Sequence, residues 1–422
     1  MEKDPVKLIA FYLPQFYIND LNNRIWGEGF TEWTNVAQAR PNFDGHYQPH
    51  IPGALGFYDL SVTPNISKQI SLAKSYGIYG FCFYYYWFDG NRALDVPLDK
   101  FLESQVEFPF CLCWANENWS RKWDGGNDEV ILQQTYNDGF EEKFIQSIKD
   151  ILSDQRYIRF RKKPVLLLYR PGLFPNTIKS VMKIREAARK LGLGELHLLA
   201  VDFYVGEKQI KDWGFDGAVE FPPHQFYDRE LLVDTLPGKI LNPDFKGHLI
   251  DYRKMILRAT KKWREPFPLK RYRGIVPSWD NTARRKNTPL TICHNSPEFF
   301  ELWLEYALSY SIRNNSEFVF INAWNEWGEG CHLEPDRANG YKYLQATKSA
   351  LINYRSMDFD TLSYKIQTLM SDSLSQSSCP SAPNTVLNSG QPEIITFKDF
   401  LKSQLFKHPK IYRCVRALYH KL

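Results

Sequence analysis

The sequence predicts a (β/α)8 TIM barrel with long βα loops, extended by a flexible linker and a basic helical tail. Three observations carry that prediction: eight short apolar runs rich in β-formers, helix-like segments between them, and polar or aromatic residues closing each run. Strands alternating with helices favour parallel pairing, and near-continuous apolar strands imply burial on both faces. A doubly wound open sheet is the alternative. The first strand is followed by Leu13-Pro14-Gln15-Phe16-Tyr17, with no glycine-rich phosphate loop, which disfavours it.

The apolar runs cover residues 8–13, 78–88, 108–114, 165–169, 196–203, 217–221, 274–279 and 318–324. Helical segments are expected over 61–76, 94–103, 138–152, 177–191, 207–213, 246–263 and 296–314. Ser296 is the N-cap of the last, with Pro297 at its first position and Glu298 in its first turn. The barrel is placed at residues 1–358, a helix end and Ser/Pro/Asn-rich linker at 359–390, and the amphipathic tail at 391–422.

Aromatic residues make up 15% of the 422, an excess that favours a ligand with stackable faces, a sugar ring or a base. The net charge of +5 is concentrated at one end: residues 397–422 hold seven Lys or Arg and one acid, Asp399. The rest of the chain is close to neutral, so nucleic acid is not an expected partner. The basic tail predicts either peripheral contact with an anionic membrane through residues 397–422 or docking on protein. The N-terminus lacks an apolar h-region, and no stretch reaches the ~18 uninterrupted apolar residues of a membrane span. Of seven cysteines at irregular spacings, Cys82, Cys111, Cys113, Cys293 and Cys331 lie in or beside apolar runs, where free thiols pack as small hydrophobes. These features predict a reducing, cytoplasmic location.

Active residues of such barrels sit at the C-terminal ends of the strands. The first strand and its loop supply Tyr12, Gln15, Trp26, Glu28, Glu32 and Trp33. The second ends in Tyr84-Tyr85-Tyr86-Trp87, of which Tyr85 and Trp87 are placed toward the ligand. The third gives Asn116, Glu117 and Trp119, the fourth Tyr169, the fifth Asp202, and the sixth Glu220 with His224 nearby. The seventh gives Trp279 and Asp280, and the eighth runs into Asn325, Glu326, Trp327, Glu329 and Glu334. Glu326 and Glu329 are the candidate catalytic pair. Glycosidic chemistry needs one carboxyl protonated and one ionised, and aromatic enclosure with a neighbouring acid supplies the protonated one. The competing reading is a helix cap or an ion pair with Arg337; Glu117 likewise is either a ligand contact or a partner of Arg121. No metal or cofactor is expected, since His224, His294 and His332 are scattered and Cys111-x-Cys113 lies inside an apolar strand.

Leu8-Ile-Ala-Phe-Tyr-Leu-Pro-Gln-Phe, Trp26-Gly-Glu-Gly-Phe-Thr-Glu-Trp-Thr-Asn, Trp114-Ala-Asn-Glu-Asn-Trp and Trp324-Asn-Glu-Trp-Gly-Glu-Gly, with Leu333-Glu-Pro, resemble the WbsX group, also called the glycoside hydrolase family 99-like proteins. The resemblance spans roughly residues 6 to 355 and implies a metal-free barrel acting on glycans. Family 99 enzymes proper are retaining endo-α-mannosidases in which the first Glu of a Glu-x-x-Glu pair assists attack by the sugar 2-hydroxyl. The second Glu is the general acid and base. Carried over, Glu326 takes the first role and Glu329 the second, with Asn325 and Trp327 beside the sugar. Cys331 stands where that family usually has Thr. WbsX-like proteins are commonly described as glycosyltransferases of bacterial surface-polysaccharide assembly. That description implies work on glycans or lipid-linked oligosaccharides, including O-antigen, at the inner membrane face.

Overall fold

Eight parallel strands close on themselves in the computed structural model, which describes residues 5–376 apart from 122–128, 203–206, 234, 235, 237, 268 and 357. The strands are β1 Lys7–Tyr12, β2 Gly80–Phe88, β3 Phe110–Trp114, β4 Lys163–Leu168, β5 His197–Asp202, β6 Gly217–Glu220, β7 Lys270–Ile275 and β8 Phe318–Ile321. Each pairs in parallel with its sequence neighbour, and β1 pairs with both β2 and β8, which completes the ring. A helix follows every strand: α1 Thr63–Ser75, α2 Val96–Glu103, α3 Phe140–Ser153, α4 Thr177–Lys190, α5 Glu207–Asp212, α6 Tyr252–Lys262, α7 Pro297–Arg313 and α8 Lys342–Asn353. This is the (β/α)8 barrel. Burial of both strand faces explains the continuous apolar runs: all nine residues of β2 and all five of β3 are buried.

Alternate residues of a strand face opposite sides, and aromatic contacts show which side is which. Phe11, Tyr84, Phe221 and Phe320 meet inside the barrel. Tyr12, Phe83 and Trp114 face the helical layer, where Trp114 stacks on Phe144 of α3 at 3.9 Å.

The structure departs from expectation in four places, the first being 246–263, where His248–Asp251 is a strand paired with Leu290–Cys293 and the helix begins only at Tyr252. β7 begins at Lys270, four residues before the predicted start at Gly274, because its Lys270-Arg-Tyr-Arg opening does not read as a buried strand. Arg271 and Arg273 are nonetheless buried there, and their partners are Asp202 at 3.0 Å and Glu220 at 2.7 Å. Helix α8 was not anticipated. A further helix, Phe359–Gln376, extends into the stretch read as linker and buries Leu362 and Ile366. The remainder of the linker and the tail at 391–422 lie outside the described residues. Among the described residues no helix is long and apolar enough to cross a membrane.

Candidate active site

Beyond β8 the chain folds back in a small hairpin. Asn325–Glu326 pairs antiparallel with Cys331–His332, and Trp327–Glu329 between them form one 3-10 turn. Side chains three residues apart eclipse in such a turn, so Glu326 and Glu329 project to the same side. Two glycines make this possible. Gly330 has φ +56°, and a Cβ on it would lie 2.9 Å from the Asp280 carbonyl oxygen. A Cβ on Gly328 would sit 2.1 Å from Glu32 Oε1 and 2.8 Å from Arg284 Nε, inside the ion pair those groups form.

Arg284 organises the acids. It lies on the short helix Thr282–Arg285 after β7, where Asp280 Oδ1 accepts from the Thr282 backbone and hydroxyl at 3.0 and 2.6 Å. Its guanidinium reaches Glu32 through Nε at 2.8 Å, Glu329 through Nη1 at 2.8 Å and Glu326 through Nη2 at 3.2 Å. Burial is the main influence on Glu326 and pushes its carboxyl up to about 8; Arg284 opposes this, while Glu329 and Glu32 add to it. Glu329 is raised by the same burial against the same arginine. One guanidinium among three carboxylates leaves the pair holding a proton at neutral pH.

The neighbouring loop is pinned to the hairpin. The Asp280 amide donates to the Glu329 carbonyl at 2.6 Å, and the Ser278 hydroxyl to the Gly330 carbonyl at 2.6 Å. Asp280 Oδ2 meets His46 Nε2 at 2.6 Å and Gln48 Nε2 at 2.7 Å. Burial opposes its ionisation, but these histidine and threonine contacts hold the Asp280 carboxyl below its usual value.

Both glutamates line a pocket with Tyr84, Tyr86, Tyr169, Phe221, His224 and Trp279. Its free space is about 40 Å³. Through Tyr86 and Ala115 it adjoins a cleft lined by Gln15, Glu117 and Trp119, and through Gln15 and Trp119 a second one formed by Trp26, Phe30, Glu32 and Arg284. The three make one aromatic groove across the barrel mouth. Burial keeps the imidazole of His224 neutral, lowering it to about 3 with Arg170 and Arg285 adding to the effect. Glu117 is raised, by burial first, and pairs with Arg170 at 3.2 Å rather than with Arg121.

Of the residues placed at the ligand by sequence, the groove brings together Gln15, Trp26, Glu32, Glu117, Trp119, Tyr169, Trp279, Glu326 and Glu329. Others are corrected. Tyr85 and Trp87 point into the helical layer, the latter against Phe144 of α3, because the parity of β2 turns Tyr84 and Tyr86 inward instead. Asp202 and Glu220 face outward to Arg271 and Arg273. Tyr12 donates to Gln69 on α1, and Gln69 in turn donates to Glu334 at 2.7 Å. Glu334 also accepts from Tyr58 and from Trp327 Nε1, each at 2.7 Å, so both Trp327 and Glu334 support the hairpin from beneath. Trp33 packs on Phe16 and Trp327 in the same layer. Asn325 clasps the Leu13 backbone, Asn116 holds Arg170 and Tyr136, and Glu28 is exposed outside the groove. Asp280 is a brace for the Glu329 turn. Cys331 is buried and its thiol donates to the Asn322 carbonyl, away from the pocket lining. The cation at the glutamates is Arg284, not Arg337. Arg284 went unnoticed because Arg284-Arg285-Lys286 reads as a solvated loop; three acids gathered at one mouth were the signal that a cation had to be near.

The structure is a closed barrel whose mouth gathers buried carboxylates among tyrosines and tryptophans. The chain matches the model of the glycosyltransferase WbsX family over residues 8–347, and it belongs to that family. It is 39% identical over 351 residues to the protein WxcX of two strains of Xanthomonas campestris pv. campestris, a match covering 82% of this chain and 50% of theirs. The chain thus spans about half the length of these curated relatives. Among solved structures, a glycoside hydrolase-like protein is similar at 15% identity and a TM-score of 0.52, over 83% of this chain and 95% of that one. A GH99 endo-α-mannosidase from Bacteroides thetaiotaomicron is similar at 16% identity and a TM-score of 0.49, over 83% and 97%.

Proposed function

We propose that this protein makes or breaks glycosidic bonds with retention, acting on an α-mannoside-like glycan in surface-polysaccharide or O-antigen metabolism through Glu326 and Glu329. The observation that carries the reading is the shared guanidinium: Arg284 holds both carboxyls on one side of the groove while leaving them short of one positive charge. In the first step Glu326 takes the proton of the sugar 2-hydroxyl as that oxygen attacks C1. Glu329 simultaneously protonates the departing glycosidic oxygen. In the second, Glu329 takes a proton from the incoming water or sugar hydroxyl, which opens the 1,2-anhydro ring at C1, and Glu326 returns its proton to the 2-oxygen. Glu329 suits exchange with the leaving and entering groups because its side chain is 18% exposed, against 5% for Glu326. Burial raises both carboxyls in the unliganded protein, and this reading requires substrate binding to leave Glu326 ionised and Glu329 protonated.

The family's description favours a second reading, a nucleotide-sugar-dependent glycosyltransferase in which the acids orient an acceptor. A non-catalytic glycan-binding barrel is the third. Incubating the protein with α-mannosides, lipid-linked oligosaccharides and sugar nucleotides, with products followed by mass spectrometry, separates all three. Turnover of a mannoside that is lost in Glu326→Gln and in Glu329→Gln supports the first; turnover retained in both variants ends it. A thermal shift and product formation only with a sugar nucleotide support the second, and glycan binding without any product the third. The location at the inner membrane face, with residues 397–422 on anionic lipid, belongs to the same proposal, and co-sedimentation with anionic vesicles with and without residues 391–422 tests it.

A further inference from the structure

A second cavity lies behind the wall formed by Trp279 and Asp280, with about 380 Å³ of free space. One side of it presents His50, from the loop after β1, beside His332 and Asp336, from the segment after β8. All three are buried, and one ligand-type atom of each lies within 4.8 Å of the other two. His50 Nδ1 is 2.9 Å from His332 Nε2, and His332 Nε2 is 4.0 Å from Asp336 Oδ2.

We propose that His50, His332 and Asp336 form a binding site for a divalent transition-metal ion, with zinc the cation best suited to two imidazoles and one carboxylate. The orientation of the donors supports this. His332 Nδ1 lies 2.9 Å from the Glu334 carbonyl oxygen, which fixes the proton on Nδ1 and leaves Nε2 with a lone pair toward the cavity. Asp336 is oriented by Asn339, whose amide nitrogen meets Oδ2 at 3.0 Å. Trp327 stacks on the His332 ring at 3.7 Å and holds its plane.

The distances decide how much the site must adjust. Zinc–nitrogen bonds of about 2.0–2.1 Å at a tetrahedral angle separate two nitrogens by roughly 3.3 Å. The His50–His332 contact therefore has to open by a few tenths of an ångström and the Asp336 oxygen to close by a little more. The proton that His50 Nδ1 now shares with His332 moves to His50 Nε2, so the ring stays neutral as it binds. Three protein donors leave a coordination position facing the cavity, for water or a ligand oxygen. The loops concerned are already stitched together, Gly53 to Pro335 at 2.7 Å and Arg337 to Ile51 at 2.9 Å. The ion would lock the backing of the Glu329 turn.

The test uses the whole chain, stripped with chelator and then titrated with Zn²⁺ and, separately, Co²⁺. One equivalent of zinc by calorimetry and elemental analysis, and a visible d–d spectrum with cobalt, are expected. His332→Gln and Asp336→Asn, checked for folding by circular dichroism, should each weaken binding at least tenfold and abolish the cobalt spectrum. Absence of saturable binding to the wild type overturns the proposal and leaves the His50–His332 contact a plain hydrogen bond. Equal binding by wild type and folded variants also overturns it, as surface uptake. Glycan turnover plays no part in the readout, so this outcome is separate from that of the proposed reaction.

Discussion

Two groups of acids stand at the ends of barrel strands, and their surroundings differ in one respect. In the wall formed by β5, β6 and β7, Asp202 is matched by Arg271 and Glu220 by Arg273. At the mouth, Glu32, Glu326 and Glu329 converge on Arg284. The first arrangement closes its charge balance and acts as a strut between the strands. The second has one cation for three acids and favours keeping a proton, which is the property an acid–base centre needs. A place at a strand's end does not by itself make a carboxyl reactive; the ratio of carboxyls to cations does.

The largest effect expected is on turnover. Glu326→Gln and Glu329→Gln should each lower glycan turnover by on the order of 10³-fold with folding retained. The double replacement Glu220→Met/Arg273→Met should leave turnover near wild type and stability little changed. A large turnover loss in that wall variant would erase the distinction. Next in size is Arg284→Met, which strands three carboxyls and should destabilise the protein by about 3–5 kcal/mol in urea unfolding. Adding Glu326→Gln to it should restore part of that loss, since two carboxyls rather than three are then crowded together without a cation.

A smaller, pH-dependent effect follows from Glu326. Its carboxyl is raised from 4.5 to about 8, so between those values the folded state holds a proton that the unfolded state has released. Stability should therefore fall as pH rises from about 4.5 to 8, and this slope should be reduced in Glu326→Gln. Turnover should likewise be lost as pH rises through about 8, where the pair gives up its proton. Smallest is the difference between inward and outward tyrosines. Tyr84→Phe should weaken apparent glycan affinity by ~1 kcal/mol, about fivefold in KM, while Tyr85→Phe should not change it.

The same contrast explains what could be read without coordinates. Seven helices and eight strands were legible because two-sided burial demands continuous apolar runs, and the Glu pair stood out because acids rarely sit among tryptophans. Strand β7 was shifted because Arg271 and Arg273 look solvated until their partners on β5 and β6 are known. The all-aromatic Tyr84-Tyr85-Tyr86-Trp87 carries no charged or strongly polar residue that reveals which parity faces inward. Tyr12 and Glu334 sit at a strand end or in its following loop, yet the hydrogen bonds that draw them beneath the hairpin involve Tyr58 and Gln69, far away along the chain, and Trp327 is held there through Glu334. His50 escaped notice for the same reason: its neighbours His332 and Asp336 are more than 280 positions later.

Arg284 touches residues contributed by the first loop of the chain and by the hairpin after its last strand. The cluster of acids around it therefore cannot exist in a partly made barrel. A chain halted before β8 lacks both acids of the pair, and one without the Glu32 loop lacks one of the groups that hold the guanidinium in place. Turnover at the proposed pair would thus double as a report that the ring has closed, and two separately expressed halves should turn over glycan only when they reassemble.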